Sequence, residues 1–180
     1  MNLFYKLFAK NNRENFDISN LIWSWIGSFL GLFAIAFFHR NFLDDSDLTL
    51  VLSSFGASAV LIYGAINSPL AQPKNLIGGH IISAIIGVFC YKLFGENLLF
   101  AAAIAVSSSI LVMQLTLTLH PPGGATALIA VIGTPQIHEL GYFYVILPVL
   151  SGALILFLIA FVINNIPKNR AYPESFKNYL

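Results

Sequence analysis

LIWSWIGSFLGLFAIAFF, residues Leu21–Phe38, contains no charged side chain. A helix needs about 20 mainly apolar residues to cross the hydrocarbon core of a bilayer, and this run meets that length with its flanks. Four more runs follow: Leu48–Ile66, Leu76–Phe94, Leu98–Leu119 and Tyr142–Ile163, the last being the most continuous. Between the fourth and the last lies Pro121–Ile132, too short for an ordinary span and suited to a half-helix or a buried, broken segment. The first run is long, follows the polar stretch Asn11–Asn20 and precedes no small-residue cleavage site, so it reads as a retained helix and not as a signal peptide.

Composition agrees. Of 180 residues, 57% are hydrophobic and 9% charged, whereas a water-soluble domain carries roughly 25% charged residues. Eight acids and nine bases cannot cover a soluble surface, and the net charge of +1 gives no basic footprint for nucleic acid. The single cysteine, Cys90, can form no internal disulfide. The expected fold is all-α, a polytopic membrane helix bundle. It comprises a segment 1–20, a transmembrane domain 21–163 and a tail 164–180.

Lys and Arg set the orientation. Lys6, Lys10 and Arg13 precede the first run, and Lys168, Arg170 and Lys177 follow the last. With both ends cytoplasmic, the number of crossings is even, and the short segment must cross in effect, aided by an extended stretch. Lys74 then also lies inside, leaving Arg40 and Lys92 outside with the acidic turn Asp44, Asp45 and Asp47. Five crossings with a dipping short segment is the alternative.

An internal repeat supports six. Gly56-Ala57-Ser58-Ala59-Val60-Leu61 resembles Gly124-Ala125-Thr126-Ala127-Leu128-Ile129, and each copy then reaches a hydroxyl residue and proline, Ser68-Pro69 and Thr134-Pro135. Three segments repeated as three more form a 3+3 inverted repeat with a short or broken fifth segment, a recurring transporter plan.

The polar features within the apolar runs point to a solute site. In His120-Pro121-Pro122-Gly123-Gly124-Ala125-Thr126 the prolines stop one helix and suit the first turn of the next. A helix starting there is expected to aim backbone N–H groups of Gly123 and Gly124, and the positive end of its dipole, at a small anion. Thr126 adds a hydroxyl, and Ser54, Gly56 and Ser58 stand in the matching copy. Ser107-Ser108-Ser109 either lines the same path or packs. His80 and His120 are ionisable groups at membrane depth and therefore functional candidates. Hydrogen bonding is their expected role, since no carboxylate lies in any span to complete a metal site. His39 and His138 read as ordinary boundary residues. No nucleophile–base–acid set or cofactor motif is visible, so the chain is not read as an enzyme. The stripes Gly27-xxx-Gly31 and Gly79-xxx-Ser83-xxx-Gly87 permit close helix approach and suggest a homodimer, or packing within one chain.

HPPGGATAL (120–128), SFGASAVLIYG (54–64) and SPLAQPKNLIGGH (68–80) together resemble the HPP family of integral membrane proteins from about Leu21 to Ile163. Some members carry a C-terminal CBS regulatory domain, which these 180 residues are expected to lack. Members in plant plastids and cyanobacteria are associated with nitrite transport, which implies a small monovalent anion as solute. Many members are bacterial, so the expected setting is a bacterial inner membrane. A pore or carrier for a neutral or cationic solute, or a structural membrane partner, stays open.

Overall fold

The computed structural model describes residues 17–175. Among them the chain forms seven α-helices: α1 Ile18–His39, α2 Asp45–Ala59, α3 Pro73–Phe94, α4 Leu98–Leu115, α5 Pro121–Ile132, α6 Pro135–Leu140 and α7 Ser151–Ile163. A π-helical turn, Val60–Gly64, extends α2, a short 3-10 turn, Pro69–Ala71, precedes α3, and a π-helical stretch, Val145–Leu150, leads into α7. Five of the resulting helices are long and apolar enough to cross a membrane, and α5 is not.

Local chemistry accounts for the boundaries. The Asp17 carboxylate accepts from the Ser19 N–H and opens α1, and Asp44 accepts from the Asp47 N–H and opens α2. Pro73 and Pro121 occupy first helical positions, where the missing N–H has no consequence. The fourth run ends at Leu115, earlier than its apolar stretch. The Thr116 hydroxyl donates back to the Val112 carbonyl, and Leu117 takes φ +56°. His120 is then extended, as expected before proline. The last run is not continuous. Leu147 has extended geometry (φ −129°, ψ 116°) ahead of Pro148, which lacks the N–H a helix interior requires.

The path through the bundle follows from its bonds. Asn169 donates to the Asp17 carboxylate, and Arg170 donates to the carbonyls of Asn20 and Tyr63. The start of α1, the end of α2 and the segment after α7 therefore share one face. On the opposite face Thr134, after α5, donates through its N–H and hydroxyl to Asp47 at the start of α2. The α5 helix begins deep inside, where the Ser54 hydroxyl meets the Pro122 carbonyl at 3.0 Å. Leu119, just ahead of α5, accepts from the Asn75 side-chain amide near the start of α3. Lys6, Lys10, Arg13 and Lys177 lie outside the described residues.

The small-residue stripes are consumed within the chain. A Cβ added at Gly31 would stand 2.6 Å from Leu156, at Gly79 2.5 Å from the His120 Cβ, and at Gly87 2.5 Å from the Ala127 carbonyl oxygen. These faces seat α1 against α7 and α3 against the α5 region, the packing within one chain that stood beside the dimer contact. Outward, α1 carries a ladder of stacked rings, Trp25–Phe29–Phe33–Phe37, with Arg40 over the last. Exposed large apolar residues suit a lipid-facing surface.

Candidate functional site

Ser54 and Ser58 stand one turn apart on the buried face of α2. His80 comes from α3, after the close approach that Gly79 allows. Thr126 lies in the second turn of α5, and His120 immediately precedes that helix. These five side chains, all singled out above, form one continuous network. Ser58, His80 and His120 are 0% exposed, and Ser54 and Thr126 are 2% exposed.

The direction of each bond follows from its end point. His120 Nδ1 lies 2.8 Å from the Leu70 carbonyl oxygen. A carbonyl only accepts, so Nδ1 bears the proton, and in the neutral ring Nε2 is an acceptor. The Ser58 hydroxyl, 2.9 Å away, therefore donates to His120 Nε2. With its one proton committed, Ser58 accepts from His80 Nε2–H at 2.8 Å. His80 Nδ1 is then an acceptor for the Thr126 hydroxyl at 2.7 Å. Thr126 in turn accepts from Ser54 at 3.0 Å, a proton Ser54 shares with the Pro122 carbonyl at 3.0 Å. One backbone carbonyl thus orders the protons through the network. The Tyr144 hydroxyl donates to the Thr126 carbonyl at 3.1 Å and braces this turn of α5. Phe55 lies against the His80 ring, with centroids 4.7 Å apart.

Two consequences follow. The network is closed, its donors and acceptors meeting partners within the chain. It also carries no carboxylate: among the described residues no group of three or more His, Cys, Asp or Glu comes together.

Of the backbone cradle expected at Gly123 and Gly124, the Gly123 N–H is already taken. Pro121 and Pro122 have no N–H, and the Gly123 N–H donates to the His120 carbonyl at 2.8 Å. The first turn of α5 therefore offers no free donor from these three residues. Gly123 packs on α3, since a Cβ there would stand 2.8 Å from Ser83 Oγ and 3.0 Å from the Gly79 carbonyl oxygen. Gly124 points the other way: its Cβ would meet only Val106 of α4, at 3.7 Å. Gly56 is likewise outside, with nothing within 4 Å of a Cβ. The serine triplet does not join the network. Ser107 and Ser109 donate to carbonyls of their own helix, Ile104 and Ala105.

Other polar residues do more than their positions suggested. His39 is 0% exposed and joins α1 to α7. Its Nδ1 donates to the Ile35 carbonyl at 2.9 Å, and its Nε2 pairs with the Ser151 hydroxyl at 2.8 Å. Asp47 is also 0% exposed, and is held by Thr134. A histidine at i+4 from a carbonyl within the first run, and an acid beside a helix start, were the available signals. The partners, more than 80 residues away in each case, were not.

The comparisons agree with the resemblance. A family model described as "HPP, transmembrane region" matches residues 13–173. A transmembrane protein of Dictyostelium discoideum is 47% identical over 160 residues, covering 87% of this chain and 56% of the relative. A second Dictyostelium discoideum transmembrane protein is 44% identical over 160 residues, covering 87% of this chain and 51% of its own length. The chain thus spans about half the length of the curated relatives it matches. No solved structure matches. The bacterial setting is not carried further, these relatives being from Dictyostelium.

Proposed function

For a chain that belongs to the HPP transmembrane family, we propose a transporter or channel for a small monovalent anion of nitrite size, with the Ser54–Ser58–His80–His120–Thr126 cluster as its binding point. The observation that carries this reading is a buried set of uncharged N–H and O–H donors with no carboxylate among them. Cation pathways usually expose Asp or Glu rings or carbonyl filters. In this reading the anion takes the place of the Ser58 oxygen as the acceptor of His80 Nε2–H, while Ser58 keeps donating to His120 Nε2 and Thr126 to His80 Nδ1. A site without formal charge binds weakly enough to release its solute, as conduction requires.

The inverted repeat belongs to the same proposal. It is supported by the two hydroxyl–proline turns: Ser68 accepts from the Leu70 N–H and Thr134 from the Gln136 N–H, each ahead of a proline. They stand at opposite ends of α2. The face shared by Asp17 and Arg170 is assigned to the cytoplasm from the distribution of Lys and Arg.

A second reading, a carrier for a small neutral polar solute, is favoured by the balance of donors and acceptors in the cluster. Flux into proteoliposomes with nitrite, nitrate, formate, chloride and urea separates the two. Saturable movement of nitrite-sized anions supports the proposal. Movement of urea alone, or of none, removes it.

A further inference from the structure

The segment after α7 is laced across the end of the bundle where α1 starts and the Pro69–Ala71 turn lies. Asn165 closes it into a loop, its side chain accepting from the Tyr172 N–H at 3.0 Å and donating to the Tyr172 carbonyl. From that loop Arg170 reaches the end of α2, donating to the Tyr63 carbonyl at 2.8 Å. It also reaches the start of α1, donating to the Ser24 hydroxyl at 3.0 Å and the Asn20 carbonyl at 3.1 Å. Tyr172, 0% exposed, donates its hydroxyl to the Ala71 carbonyl at 2.8 Å, and the Glu174 N–H donates to Gln72 Oε1 at 2.8 Å. Burial pushes the Tyr172 hydroxyl above the usual tyrosine range, so it stays a donor. Ala71 and Gln72 directly follow Leu70, whose carbonyl holds His120 Nδ1 and so orders the cluster.

We propose that residues 165–174 act as a gate strap: fastened to the Pro69–Ala71 turn, they keep the Leu70 carbonyl on His120 and the cluster closed, and their release opens the cluster to the face they cover. The inference rests on the reading of that cluster as the solute site. The fasteners are suited to reversible use. The Arg170 guanidinium is held by two carbonyls and a hydroxyl, and among the described residues no carboxylate pairs with it. The Tyr172 anchor is one neutral hydrogen bond. Each bond is of the modest net strength that thermal motion can exchange.

The test uses the full chain in nanodiscs and a membrane-impermeant thiol reagent. Thr118, 7% exposed, lies near the start of α3, against Gly78 and one residue from Leu119, whose carbonyl accepts from Asn75. In a Cys90→Ala, Thr118→Cys background, Tyr172→Phe should raise the labelling rate about fivefold, the factor expected for one lost neutral hydrogen bond. Arg170→Gln should raise it further. Native Cys90, buried at the far end of α3, is the control in chains carrying only the strap substitutions, and its labelling should not change. An unchanged rate at position 118, or a parallel rise at Cys90, would overturn the gate. Amide exchange of residues 66–80 in Tyr172→Phe alone gives a second reading free of the introduced cysteine. No rise there overturns the gate equally. If labelling and exchange behave as expected while no anion moves in any variant, the gate stands and the transport reading falls.

Discussion

Ser58→Ala removes the hub of the network, and its cost can be worked from the bonds. The hydroxyl donates to His120 Nε2 at 2.9 Å and accepts from His80 Nε2 at 2.8 Å. Alanine leaves both nitrogens in place with their rings fully buried, His120 still tied to Leu70 and His80 to Thr126. Each orphaned buried group costs about 1–3 kcal/mol. Partial relaxation of the two rings, whose centroids are 5.0 Å apart, offsets some of this, so the expected loss is about 3 kcal/mol. For a chain of this length about 2–4 °C accompanies each kcal/mol, or roughly 6–12 °C in Tm. Thermal unfolding in mild detergent, read against Ser107→Ala, measures it. The Ser107 hydroxyl bonds only its own helix, and its removal should be nearly silent. A double-mutant cycle of Ser58→Ala with Thr126→Val should depart from additivity by at least about 0.5 kcal/mol, because both share His80. A loss at Ser58 under about 1 kcal/mol with additive behaviour would refute the ordered network.

The remaining predictions concern neighbours of that hub. Gly123→Ala should destabilise the bundle and depress flux, since its Cβ meets Ser83 Oγ and the Gly79 backbone, whereas Gly124→Ala should be neutral in both Tm and flux. His120→Gln should keep more flux than His120→Ala, because an amide can donate to Leu70 and accept from Ser58; equal loss in both would point to a role for imidazole protonation. Asp47→Asn removes one of the two carboxylate acceptors serving Thr134. It should lower Tm by a few degrees, about 1–2 kcal/mol, while leaving solute selectivity unchanged in the flux panel. Reporter fusions at Met1 and Leu180 should give signals from the same side of the membrane, and opposite sides would remove the six-crossing path.

Much of the site was legible because proline and histidine in an apolar sequence are hard to place otherwise. Pro121 and the Gly133-Thr134-Pro135 turn bracket α5 at the residues where the short run was read. The segments 54–58 and 122–126 do meet, Ser54 bonding to Pro122 and Thr126. The choice between the two glycines was not made, although helical spacing held it: Gly123, Thr126, Ala127 and Ala130 recur on one buried face, and Gly124 falls off it. The donor role given to the Gly123 N–H overlooked that the carbonyl of His120, three residues back, can claim it. The break at Leu147-Pro148 was also visible as a proline inside the last run. What could not be read was long-range pairing. Nothing local tells His39 that Ser151 will meet it, or Leu70 that its carbonyl will set the tautomer of a ring 50 residues on.

The ring ladder on α1 has a bearing on how the protein can be watched. Both tryptophans of the chain, Trp23 and Trp25, are on that helix, and Trp25 is 67% exposed and stacked on Phe29. Emission from Trp25 therefore samples the lipid-facing side of one helix, and Trp23 is half-buried on the same helix. Brominated acyl chains should quench it strongly, while solute additions should leave it unchanged. Tryptophan fluorescence reports insertion of α1 into a bilayer, and changes at the buried cluster have to be followed with a dye placed elsewhere.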